Sequence, residues 1–301
     1  MLKRVVLLTI FLLSFLTVFA NDANKFSGSL LWKISGNGLS SPSYLLGTHH
    51  LTSGSYTDSI PGFKEAFAST QQVVGEILLG DKQAVQMQIV KFMQMPDSVK
   101  YMDLLTGDEY DRLDKMLKEK MGAGLDRLGL LKPFMINLSF SMMLYSQLFP
   151  DIDFTKLVAI DDYVQQLAKE QGKSLKGLES VEFQLSIFET DPLSVQAQEL
   201  LCAMEHTDYM IDVTRKLSTY YATANLNAMA ELADDESSPC PMSKEMEHKM
   251  LKERNDNWLI QLPKLMKDKP AFVAVGALHL VGEDGLLYQL EKLGYTVTPV
   301  R

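Results

Sequence analysis

The sequence predicts a mixed α/β (α+β) fold: a strand-rich core built from both chain ends, with a large helical insertion at about 81–250 between them. Two observations carry this. Apolar runs bounded by turn residues cluster near the two ends of the chain, whereas Met, Leu and Lys at helical spacing dominate the middle. The terminal runs, such as FVAVG at 272–276, are continuous rather than alternating, which suits strands covered on both faces.

The chain opens on a leader-like segment. Lys3 and Arg4 precede an apolar run at 5–19, and Val18-Phe19-Ala20 has the small-residue pattern that a signal peptidase reads. The expectation is a cleaved signal over residues 1–20 and a secreted or periplasmic mature chain over 21–301. The run is short for a spanning helix, so no stable membrane span is expected after cleavage.

LLWKI, GNGLSSPS and YLL then read as strand, turn and strand. DSIPGFKEAFA at 58–68 reads as a short helix with Pro near its first turn. QQVVGEILL at 71–79 is another apolar run, with a single carboxylate, Glu76, inside it. Turn signals such as MPDS and LTGDE separate the helices that follow. GLLKPFMINLSFSMMLYSQLFP at 129–150 resembles a membrane span, but Asn137, Ser139 and Ser141 interrupt it. It reads as a buried or groove-lining helix, its methionines suited to core packing or to an adaptable binding surface. GKSLKGLE at 172–179 reads as a short strand. Its GKS is not a phosphate loop, because Leu167 stands where that loop needs Gly. The last thirty or so residues, from AFVAVG onward, read strand, loop, helix, strand.

Charge excludes one class of partner. The net charge is −9 and no basic stripe is present, so nucleic acid is not expected to bind. Cys202 and Cys240 are the two cysteines, and in an oxidising compartment a disulfide between them is expected.

The chemistry is concentrated in a repeat. YLLGTHHL at 44–51 and AVGALHL at 274–280 are each an apolar strand followed by Gly-x-x-His-Leu, matching Gly47 with Gly276 and His50 with His279. A strand brings the chain to the edge of a sheet, Gly permits a close approach, and the His three residues on can enter the crevice beyond it. Two such strands side by side would bring two imidazoles together. Glu76 is the best carboxylate to join them, since an ionised Glu in an apolar strand is costly unless it is paired or bound to a cation. The other possibility is that the strand turns Glu76 to solvent. His, His and Glu form a ligand set for a divalent ion with open positions. His49 is either a partner that orients His50 or a residue on the opposite face. No HExxH or GxSxG occurs, which disfavours an ordinary zincin and a serine esterase.

At these segments the chain resembles the TraB/GumN family, which is related to the Tiki proteases and to the wider erythromycin-esterase and ChaN-like group. The segments that carry the resemblance are YLLGTHHL, VVGEI, GKSLKGLESVEFQL, KERNDNW and FVAVGALHLVGEDGLLYQLEKLGYTVTPV. The resemblance implies a metal-dependent hydrolase with a peptide or protein substrate and Mn, Co or Zn as cofactor. It implies metal ligation by His50, His279 and Glu76. It also singles out Glu179 and Arg254, with Glu76 or Glu179 as general base and Arg254 as stabiliser of developing negative charge. Alternatives stay open: Glu179 as a mere helix cap, Arg254 as a surface cation, and the whole chain as a non-catalytic protein that sequesters a peptide or small ligand. Paired histidines can also ligate haem, but no CxxCH is present.

Overall fold

The computed structural model of the protein describes residues 26–78, 82–154 and 156–301, so the expected leader lies outside them. Among these residues six strands form one mixed sheet: β1 Leu31–Gly36, β2 Ser43–Thr48, β3 Gln72–Gly75, β4 Ser174–Gly177, β5 Ala271–Gly276 and β6 Tyr295–Pro299. Their spatial order is β4-β3-β5-β2-β1-β6. The first four neighbours in that order run parallel, and β1 is antiparallel to both β2 and β6.

Helices supply the rest. They are α1 Phe63–Ala68, α2 Lys82–Met93, α3 Tyr101–Leu104, α4 Gly107–Met121, α5 Leu125–Leu128, α6 Pro133–Leu148 and α7 Ile160–Glu170. After β4 come α8 Val181–Ile187, α9 Leu193–Glu205, α10 Thr207–Ala222, α11 Leu226–Ala233, α12 Lys244–Glu247, α13 Glu253–Asp268 and, last, α14 Leu286–Lys292. Among the described residues no helix is long and apolar enough to cross a membrane. A single π-helical turn, His248–Lys252, joins α12 to α13.

The mixed α/β class agrees with the sequence expectation, with one difference in how the core is made. β4 comes from the middle of the chain and pairs with β3, and α7 just before it buries Ile160, Val164 and Ala168 in the sheet core. The central region is therefore helical but not separate from the sheet. α1, α11, α13 and α14 also pack on the sheet, whereas α3, α4, α5, α6 and α9 gather around a second core that includes Leu113 and Leu117 of α4, Ile136 and Phe140 of α6, and Leu200 and Met204 of α9. LTGDE does more than turn the chain: the Thr106 hydroxyl accepts from the Glu109 N–H, while the Glu109 carboxylate accepts from the Thr106 N–H. That reciprocal cap satisfies two N–H groups that the start of α4 would otherwise leave orphaned.

Cys202 of α9 and Cys240 form the expected disulfide, with Cα atoms 5.8 Å apart across 38 residues. Closing a loop of that size stabilises by about 3–4 kcal/mol, chiefly through the unfolded state. His206 lies beside the bridge, but the two sulfurs are bonded to each other and not offered as ligands.

The glycines of the repeat have different jobs. β2 pairs with β5 so that Thr48 lies opposite Gly276. A Cβ on Gly47 would stand 2.9 Å from Leu280 Cδ1 and 3.1 Å from Ala277 Cα, so the turn Ala277–His279 can sit on β2 only because Gly47 has no side chain. At Gly276 the nearest atoms are at 3.4 and 3.5 Å, ordinary contact. Gly47→Ala is therefore expected to lower stability by about 1–3 kcal/mol through overpacking. Gly276→Ala should lower it by less. Urea unfolding midpoints of the two variants check this, and equal losses would contradict the assignment.

Candidate active site

Parallel strands put all their carboxyl ends on one side of a sheet, and in this chain each of the four delivers a polar residue there. His50 follows β2, Glu76 follows β3, Glu179 follows β4 and His279 follows β5. Glu76 is buried and does not turn to solvent.

Arg254, in the first turn of α13, lies across this edge. Its Nη2 donates to Glu76 Oε2 and to Glu179 Oε1, both at 2.5 Å, and its Nε donates to Glu179 Oε1 at 2.9 Å. Its Nη1 donates to His279 Nε2 at 2.9 Å and to the Met250 carbonyl at 3.2 Å. A guanidinium has five N–H bonds, and this one has five such contacts. The side chains of Arg254, Glu76 and Glu179 are 7, 10 and 6% exposed, so Arg254 is no surface cation. Further donors complete the two carboxylates. The Gly276 N–H reaches Glu76 Oε1 at 2.7 Å, Gln184 bridges Glu76 and Glu179, and the Trp258 indole N–H reaches Glu179 Oε2 at 3.1 Å. Burial pushes the Glu76 carboxyl up, but Arg254 and the Gly276 N–H outweigh it and hold the group below the usual carboxylate range. Glu179 does not cap α8; the Ser180 hydroxyl does.

His279 is buried against Trp258, ring centroids 4.4 Å apart. Burial brings its pKa down to about 3, so the ring is neutral. Because Nε2 accepts from Arg254, the ring proton is on Nδ1, which faces Asn255 Oδ1 at 2.8 Å. Asn255 is itself oriented by donating to the carbonyls of His279 and Asp284.

His50 stands at the mouth of the cleft, its side chain 69% exposed. Its Nδ1 faces Asp161 Oδ2 at 3.0 Å, and the Thr48 hydroxyl holds the other Asp161 oxygen at 2.6 Å. The hydrogen bond to Asp161 raises the His50 pKa to about 9, so near neutral pH both ring nitrogens carry protons. Nε2, the nitrogen not held by Asp161, is the one a cation would take in exchange for its proton. The residue that orients His50 is thus Asp161 and not His49. His49 pairs with Thr52 and packs against Tyr145 and Tyr221, although it lines the same cleft as His50.

Asp161, Asn255, Gln184 and Trp258 do not stand out in the sequence. An Asp in the first turn of α7 looks like an ordinary partner of the helix dipole. Asn255 and Trp258 lie in the KERNDNW segment, but only folding shows which of its polar residues face the sheet edge.

Two imidazoles and a carboxylate suit Mn, Co or Zn in kind. Glu76 Oε1 lies 4.0 Å from His279 Nε2, and His50, Glu76 and His279 line one cleft. The acceptors that a cation would use on His279 and on Glu76 Oε2 now receive the Arg254 guanidinium. Loading an ion there requires Arg254 to draw back toward Glu179.

A family model described as the TraB/PrgY/gumN family matches residues 30–299. No curated protein matches the chain. No solved structure matches it either.

Two outcomes follow from the geometry. Arg254→Met leaves two buried carboxylates without their cation and should lower stability by about 3–5 kcal/mol. Added Mn²⁺ or Zn²⁺ should restore part of that in thermal unfolding, and a loss indifferent to metal would contradict the cation-site assignment. In metal-free protein the His50 ring should titrate near 9 by NMR. In Asp161→Asn it should fall toward about 6.5; an unchanged midpoint would remove Asp161 from its role.

Proposed function

The chain belongs to the TraB/PrgY/gumN family, and from that premise we propose that it is a metal-dependent hydrolase of peptide bonds working outside the cytosol. The observation that carries this reading is the convergence of His50, Glu76 and His279 from adjacent parallel strands on one cleft. The Cys202–Cys240 bridge suits an oxidising compartment.

His50, His279 and Glu76 are the residues to hold Mn, Co or Zn, and such an ion when bound supplies an acidified water and a polarised carbonyl. Asp161 fixes the His50 ring so that Nε2 meets the ligand, and Asn255 does the same for His279. Glu76 is kept ionised by Arg254 and the Gly276 N–H and is the group placed to take a proton from water. Glu179 is committed to Arg254, Gln184 and Trp258, and its part is to hold the guanidinium. Without an ion every N–H of Arg254 is engaged. Those on Glu76 and His279 would come free as it draws back toward Glu179, and could then stabilise developing negative charge.

A second reading is favoured by one contact. Arg254 Nη1 on His279 Nε2 is also what a non-catalytic protein would show, with the guanidinium as the resident cation and the cleft serving only to sequester a ligand.

Metal analysis of the mature protein beside His279→Ala separates the two, followed by peptide-library cleavage with and without a chelator. The hydrolase reading expects bound metal in the wild type. It expects loss of metal and of turnover in the variant, exceeding the roughly ten- to hundredfold loss that follows removal of an outer partner. Absence of metal under every loading condition would sink it in favour of the binding reading.

A further inference from the structure

α6 is apolar on more than one side. Ile136, Phe140 and Leu144 enter the second core, while Leu138 and Met142 stay 44 and 45% exposed on another face. That second face forms a wall of the cleft, together with Leu217 of α10 and Met250 of the π-helical turn. The cleft has a volume of about 450 Å³, and the His50, Glu76, Arg254 and His279 group opens into it. Apolar side chains left open beside a polar cluster are the usual makeup of a ligand site. π-Helical turns also concentrate at functional sites, and this one ends two residues before Arg254 and offers the Met250 carbonyl to it.

Two hydroxyls say what kind of ligand fits. Ser141 of α6 donates its proton to the Asn137 carbonyl, and Thr214 of α10 donates its own to the Met210 carbonyl. Both line the cleft, and with their protons so used each oxygen offers only lone pairs. Acceptors of this kind complement N–H groups, which a peptide backbone carries and an acyl chain lacks.

We propose that this wall is a side-chain specificity pocket for a peptide, taking a large flexible apolar side chain such as Leu, Met or Phe, with Ser141 and Thr214 accepting from backbone N–H groups. The helical region thereby sets the substrate class while the sheet edge holds the polar chemistry. The inference deepens the hydrolase reading and rests on it for turnover, but not for binding.

The test measures binding first, without turnover. Metal-stripped mature protein is titrated with fluorescent acetylated peptides that differ at one position, Leu, Met or Phe against Ser, Glu or Lys, and followed by anisotropy. Apolar peptides should bind at least about tenfold tighter, the scale on which an apolar pocket discriminates. The double variant Leu138→Glu/Met142→Glu changes two half-exposed positions, so the fold should survive. It should lose that preference and gain one for Lys peptides, a gain that a misfolded protein cannot show. Ser141→Ala/Thr214→Val should weaken every peptide without altering the side-chain preference. Equal binding of all peptides overturns the proposal. So does a fatty alcohol that displaces apolar peptides and is indifferent to loss of the hydroxyls, which would assign the pocket to lipid. A side-chain preference in binding with no cleavage under any metal supports the pocket and overturns the hydrolase reading. Cleavage without side-chain preference does the reverse.

Discussion

The site depends on one buried guanidinium. Arg254 stands between Glu76 and Glu179 with all three side chains nearly inaccessible. Two carboxylates so close, taken out of water, would repel each other and lose their hydration without a cation between them. A buried pair of this kind seldom adds net stability over a well-packed apolar one, but removing one partner from it is costly. The clamp also reaches beyond the carboxylates. It takes the lone pair of His279, places the proton on Nδ1 and so draws in Asn255, and its guanidinium lies 4.8 Å from the Trp258 ring.

The clamp has something to hold because the sheet is parallel where it matters. β4, β3, β5 and β2 end on the same edge, and residues that are 26 to 103 positions apart in neighbouring pairs of the chain order become neighbours in space. The close fit of β2 on the 277–279 turn, which Gly47 permits, brings the second histidine against the first motif. Asp161 then reaches His50 from the start of α7, a helix anchored in the sheet core by Ile160 and Val164. Each polar group is therefore positioned by an apolar element behind it, which is what keeps a site of this kind in register.

The helical region has a different balance. Its own core packs α4, α6 and α9, and the disulfide ties α9 to the chain beyond α11. That leaves α6 free to show a second apolar face to the cleft, where adaptable Met and Leu side chains border the polar edge. The polar floor is built on the sheet core, and the apolar wall on helices that α10 ties to both cores.

Much of this was legible in the residues alone. The apolar runs at the two ends, the disulfide, the paired Gly-x-x-His and the lone Glu76 all follow from local patterns, and the TraB/PrgY/gumN family match agrees with the resemblance they carried. Asp161, Asn255, Gln184 and Trp258 were not legible, because an Asp in a first helical turn or an amide on a polar helix looks the same whether it faces water or a buried imidazole. The sequence by itself determined the strands, their glycines and the residue types that meet at the edge, since these rest on periodicity and backbone sterics within a few residues. Only the tertiary structure decided that β4 joins the sheet from mid-chain, that Asp161 and not His49 orients His50, and that Arg254 is enclosed by two carboxylates. Burial and Coulomb contact arise between segments far apart in the chain, and no local pattern encodes which segments will meet.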